Sequence, residues 1–154
     1  MKKKTILWGI LSVLVIFMTT GCGKKDVLTT DSFSSISKNN DCAIYDISEQ
    51  YAVYEEIEEA TVALNDDGWQ IEFYVLTDSK EASSMFLTNK TTFESYKSNS
   101  SAELKTAMGN YETYALTSGG YYMYVSRVDN TLLYLRVDDK YKDTVKSLVE
   151  ELGY

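Results

Sequence analysis

Histidine and proline are absent from the 154 residues, cysteine occurs twice, and basic side chains are outnumbered, 15 against 23 acidic. Each shortage removes a class of function. Without histidine there is no Ser-His or Cys-His nucleophile pair and no imidazole metal ligand. The deficit of lysine and arginine leaves a formal charge of −8, which argues against nucleic acid, because phosphate contacts need a basic stripe. No glycine-rich phosphate loop occurs, and no cofactor or metal is expected. What is present suffices for one domain: 44% apolar residues, and thirteen tyrosines among the aromatics.

The N-terminus reads as targeting rather than fold. Lys2, Lys3 and Lys4 precede an apolar run from Ile6 to Met18, followed by Thr19, Thr20, Gly21 and Cys22. The run falls short of the ~20 residues that a permanent bilayer helix needs. Two readings fit it: a transmembrane anchor, or a cleaved signal ending at Cys22.

The segment resembles a bacterial prolipoprotein signal, matching its lipobox at Gly21 and Cys22, with Thr19 where leucine is usual. The resemblance covers residues 1–22 and implies that Cys22 becomes the first residue and carries lipid, including palmitate-type acyl chains. Two such chains hold a protein stably where one does not, at ~0.8 kcal/mol per buried CH2. It implies a signal over 1–21, a lipidated tether over 22–27, a domain over 28–154, and residence on the outer face of the cell membrane. Gly23, Lys24, Lys25 and Asp26 form the polar tether, and its lysines suit anionic headgroups. Loss of Lys2, Lys3 and Lys4 makes the remainder more acidic than the whole-chain −8, so the body is expected to stand off such a membrane. Cys42 then lacks a disulfide partner; a small buried residue fits it better than a nucleophile with no histidine to activate it.

Periodicity predicts a helix over Thr29–Asn40, a strand over Cys42–Ile47, an ambiguous stretch over Ser48–Glu59, and strands over Glu58–Asn65 and Trp69–Thr77. Asn65-Asp66-Asp67-Gly68 is a hairpin signal rather than a calcium loop. Asp78 caps a helix whose inner side carries Ala82, Met85, Phe86, Phe93 and Tyr96. Glu103–Met108 is expected as a further helical turn ending at Gly109. Strands over Tyr111–Thr117, Tyr121–Val128 and Thr131–Asp138 follow, and a last helix over Lys140–Leu152 stops at Gly153.

The order implies an α+β fold, an antiparallel sheet with helices packed on one face. Phe73–Lys80 echoes Leu133–Lys140, each a strand running into an acid-capped helix. The echo suggests duplication of a helix-plus-three-strands unit, although strand-to-helix junctions tend to look alike. The mature part resembles small uncharacterised lipoproteins of Gram-positive bacteria in general character only.

Strand alternation places Ile71, Phe73, Val75, Met123, Val125, Leu133, Leu135 and Val137 in the core. It sends Glu72, Tyr74, Tyr122, Tyr124, Tyr134 and Arg136 together to the open face. Such a surface is a candidate ligand-binding platform, since tyrosine is rigid and amphipathic. Cross-strand tyrosines also stabilise half-exposed sheets with no ligand at all. Glu55, Glu56, Glu58 and Glu59 suit a solvated flank better than a cation site. The resulting expectation is a non-enzymatic lipoprotein that binds or scaffolds, contacting a protein partner or cell-wall glycan. The alternative is a small-ligand-binding lipoprotein serving a transporter.

Overall fold

The computed structural model describes residues 23–154, so the signal segment and Cys22 lie outside the described residues. Helix α1 (Thr30–Asn39) leads into strands β1 (Cys42–Asp46), β2 (Ile57–Asn65) and β3 (Gln70–Leu76). Helix α2 (Ser79–Glu94) follows, then β4 (Ala102–Met108), β5 (Tyr111–Ser118), β6 (Tyr121–Val128), β7 (Thr131–Asp138) and α3 (Lys142–Glu151). The chain is thus α+β, with one seven-stranded antiparallel sheet in the order β1-β2-β3-β7-β6-β5-β4.

Local chemistry explains the boundaries. Thr29 accepts the backbone N–H of Ser32 at the start of α1. Asp78 accepts from both Lys80 and Glu81 at the start of α2. Asp129, at φ +49, makes the two-residue β6–β7 connection tight enough for a hairpin. The ambiguous stretch resolves into a 3-10 turn over Ser48–Tyr51, with β2 beginning only at Ile57.

Three expectations need correction. Residues 102–108 are not a helical turn but the edge strand β4, exposed along almost its whole length. With alternate residues both in solvent, its apolar positions carry no strand signature. The helices do not share one face. Phe33 of α1 and Val145, Leu148 and Val149 of α3 close over Ile71, Phe73, Leu133 and Leu135. Ala82, Phe86 and Phe93 of α2 close over Tyr74, Leu116, Met123, Val125 and Leu132 on the other face. The sheet is therefore the middle of three layers, and both sets of alternating residues are core. Finally, Met123 and Val125 lie on the α2 face while Leu133 and Leu135 lie on the α1/α3 face, because Tyr124 pairs with Leu135 and Val125 with Tyr134. A one-residue offset turns a strand over.

The echoed segments are the two central strands, paired antiparallel with Phe73 opposite Leu133. The helices that follow them part company, α2 going to one face and α3 to the other.

Candidate functional site

Among the described residues, strands from the two halves of the chain meet at the join between β3 and β7, and their pairing is short. It runs from Val75↔Thr131 to Glu72↔Tyr134 and stops, although β3 reaches back to Gln70 and β7 runs on to Asp138. Each strand is meanwhile held by its hairpin partner: Gln70 opposite Leu64, Asp138 opposite Tyr121. Sheet twist separates strands that no turn holds together, and the two halves open as a wedge. The wedge holds a cavity of about 420 Å³. Beyond it, Tyr141 donates its hydroxyl to the Asp67 carbonyl at 3.3 Å, tying the start of the last helix to the β2–β3 turn.

The lining is polar and carries both signs of charge: Asp67, Glu72, Arg136, Asp138 and Lys140. Among the described residues none of these five makes an ion pair within the groove or beside it. Glu72 is oriented instead by neutral donors. Gln70 Nε2 donates to its Oε1 at 2.8 Å, and the Tyr74 hydroxyl donates to its Oε2 at 2.5 Å. The Tyr51 hydroxyl, 2.9 Å from that of Tyr74, completes a relay whose last member faces the wedge. Burial, followed by the Glu72 charge, pushes the Tyr74 hydroxyl far above its ordinary pKa, so it stays a proton donor to the carboxylate.

Arg136 is held by rings rather than by acids. Its guanidinium stands 4.7 Å from the Tyr96 centroid and 4.6 Å from that of Tyr121. Tyr134 stacks on Phe93 with centroids 5.4 Å apart, so α2 fixes the ring on the wedge wall. Burial and the nearby Glu72 raise the Tyr134 hydroxyl as well. The Lys140 ammonium sits 4.6 Å over Tyr141.

The six residues expected on one platform divide. Glu72, Tyr134 and Arg136 line the wedge, and Tyr74 supports it from below through Glu72. Tyr122 and Tyr124 sit on the opposite face beside α3, their rings 6.4 Å apart. There they border a separate shallow groove of about 260 Å³ with Lys25, Lys146 and Val149. Tyr74, Tyr122 and Tyr124 are 2%, 5% and 5% exposed, so no open tyrosine surface exists at these positions. Alternation along one strand cannot reveal this, because a tyrosine under a helix and one in solvent have the same spacing.

Sequence reasoning missed Gln70, Asp67, Asp138, Lys140 and Tyr141 as neighbours of Glu72. The available signal is the charged junctions at the start of β3 and the end of β7, whose residues serve equally well as turn and cap chemistry. Cys42 is 5% exposed, and burial pushes its thiol upward, as suits a packed residue. Among the described residues no group of three or more acidic or thiol side chains converges as a metal site, and no helix is long and apolar enough to cross a membrane. No protein-family model, curated protein or solved structure matches this chain.

Proposed function

We propose that the chain is a lipid-anchored, extracytoplasmic binding protein of non-enzymatic type that takes the end of a cell-wall glycan into the β3–β7 wedge. The observation that carries this reading is the early stop in strand pairing at Glu72↔Tyr134, which leaves a lined cavity where a continuous sheet would have none. About 420 Å³ falls within the ~300–1,000 Å³ of ordinary ligand sites. Glu72 has both oxygens engaged by donors, which suits a fixed acceptor for hydroxyl groups rather than an acid that gives up a proton. Arg136 and Lys140 offer unpaired cations to an acidic sugar or a peptide carboxylate, and the Tyr134 and Tyr141 rings offer walls for a sugar ring. The lipid anchor rests on the charge, apolar run and Gly21-Cys22 order of the signal.

The volume and mixed charge of the wedge also favour a second reading, a small polar solute delivered to a transporter. A flat partner-protein platform has less support, since three of its six residues are buried.

Co-sedimentation of the Gly23–Tyr154 domain with purified sacculi tests the first reading. Saturable binding is expected for wild type and for Lys146→Ala on the opposite face, with at least tenfold weaker binding for Arg136→Ala and Glu72→Gln. Wild-type protein remaining in the supernatant sinks the glycan reading. Calorimetric screening of amino acids, short peptides and sugars then tests the solute reading.

A further inference from the structure

The first described residues are fastened to the domain. The Lys25 backbone N–H donates to Asn110 Oδ1 at 2.9 Å, and Asn110 Nδ2 donates back to the Lys25 carbonyl at 2.9 Å. The same Nδ2 also reaches Asp129 Oδ2 at 3.0 Å, so the clamp is anchored in turn to the β6–β7 hairpin. The Lys25 ammonium lies 4.8 Å over the Tyr111 ring. Gly109, at φ +56, makes the contact possible: a Cβ there would stand 2.0 Å from the Gly23 carbonyl oxygen. From Lys25 back to Cys22 the chain spans at most ~10 Å, at ~3.3–3.6 Å per residue.

Strand register fixes what lies at each end. Met108↔Tyr111 and Val128↔Thr131 mark the end where the strap docks, while Tyr121↔Asp138 marks the end where the wedge opens. The eight residues of β7 separate the two by roughly 25 Å.

We propose that the Gly23–Lys25 strap is a rigid mount, which seats the β4–β5 turn against a lipid surface and directs the β3–β7 wedge away from it. The proposal rests on lipidation of Cys22. The seated end presents Met108, 54% exposed, beside Lys24 and Lys25. Asp26 and Asp129 at the same end match those two charges, so the acyl chains and Met108 rather than net charge hold it to an anionic leaflet. Glu56, Glu58 and Glu59, at the start of β2 on the same end, lie about four strand spacings from β5, roughly 19 Å away. Repulsion from the leaflet lifts that half, so the domain leans on its β4–β5 corner. A flexible tether would leave the wedge facing the bilayer part of the time; the strap removes that orientation.

The test uses the full chain, processed in cells and reconstituted in phosphatidylglycerol–phosphatidylcholine vesicles, with a nitroxide at Met108→Cys or Asp66→Cys. Buried Cys42 supplies an unlabelled background. The Met108 label is expected to relax with lipid-soluble oxygen and to be shielded from an aqueous nickel chelate, and the Asp66 label to show the reverse. Asn110→Ala should at least halve that contrast. It should also speed Lys25 amide exchange about tenfold, the effect of one lost hydrogen bond, while the amides of Leu133 and Leu135 stay protected. Equal water access at both wild-type labels, or no change with Asn110→Ala, overturns the mount. The mass of the mature protein beside Cys22→Ala separates the failures: lipid present without contrast refutes the mount alone, and absence of lipid refutes the anchor and the mount together.

Discussion

Replacing Phe93 by alanine probes both the three-layer architecture and the wedge that depends on it. Phe93 is 1% exposed, sits in the cluster beneath α2, and stacks on Tyr134 at 5.4 Å. Truncating a fully buried phenylalanine costs about 3–5 kcal/mol through lost transfer energy and the cavity left behind. The stacked pair contributes roughly 0.5–1.5 kcal/mol of that figure, as such pairs do. Against a total stability of about 5–15 kcal/mol for a domain this size, the loss is large but survivable. With a urea slope of about 2 kcal/mol/M, the unfolding midpoint should fall by about 2 M. Leu87 lies on the same helix but is 54% exposed, so Leu87→Ala should stay within about 0.5 kcal/mol of wild type. Urea unfolding followed by tyrosine and tryptophan fluorescence gives both numbers. If the two variants lose the same small amount, α2 does not cover a second face, and the assignment of Tyr74, Met123 and Val125 to a buried layer fails with it. Because Phe93 also fixes the Tyr134 ring, Phe93→Ala should weaken sacculus binding even where the protein remains folded.

Four further outcomes are expected. Tyr154→Phe removes a 2.5 Å hydrogen bond to Thr131, whose hydroxyl keeps the Val128 carbonyl, so urea unfolding should show a loss of about 1 kcal/mol. Burial holds the hydroxyls of Tyr74, Tyr122, Tyr134 and Tyr154 above the ordinary tyrosine range; a group that stays protonated in the fold loses its contribution as pH rises past about 10, so these four should ionise only as the protein unfolds in an alkaline absorbance titration. Hydrogen bonds from Lys105 and Lys97 lower the Glu103 carboxyl to about 2, so its support is complete above the ordinary carboxylate range and lost as pH falls toward 2; Glu103→Gln should flatten the acid limb of Tm against pH. Cys42 should resist aqueous thiol reagents in the native protein and react at once in urea, because its side chain is 5% exposed.

The strands of the two long hairpins were legible as strands because Asn65-Asp66-Asp67-Gly68 and Asp129-Asn130 are local turn signals. The β6–β7 register was not, since Val125 pairs with Tyr134 and so faces away from Leu133 and Leu135. Helix α2 was legible from Asp78 and the Ala82, Phe86, Phe93 stripe. What stayed hidden depends on which strands meet. Nothing near Glu72 announces that Tyr134 is its partner, and nothing near Tyr134 announces that pairing with β3 ends there. The burial of Tyr122 and Tyr124 follows from α3 crossing their face, a matter of tertiary placement, while α2 covers the face that alternation had left open. β4 escaped notice because an edge strand exposed on both sides carries no period of two. Glu72, Tyr134 and Arg136, expected together on an open plane, instead line a cleft between two strands, Glu72 from β3 and the other two from β7.

The most direct measurement is a map of amide and side-chain shifts in the 15N,13C-labelled domain as soluble cell-wall glycan fragments are titrated in. The wedge account predicts that Gln70, Glu72, Tyr134, Arg136 and Tyr141 move together and saturate together, with Tyr122 and Lys146 unmoved. Shifts centred on Tyr122, Tyr124 and Lys146, or no saturable shifts at the wedge, would contradict it.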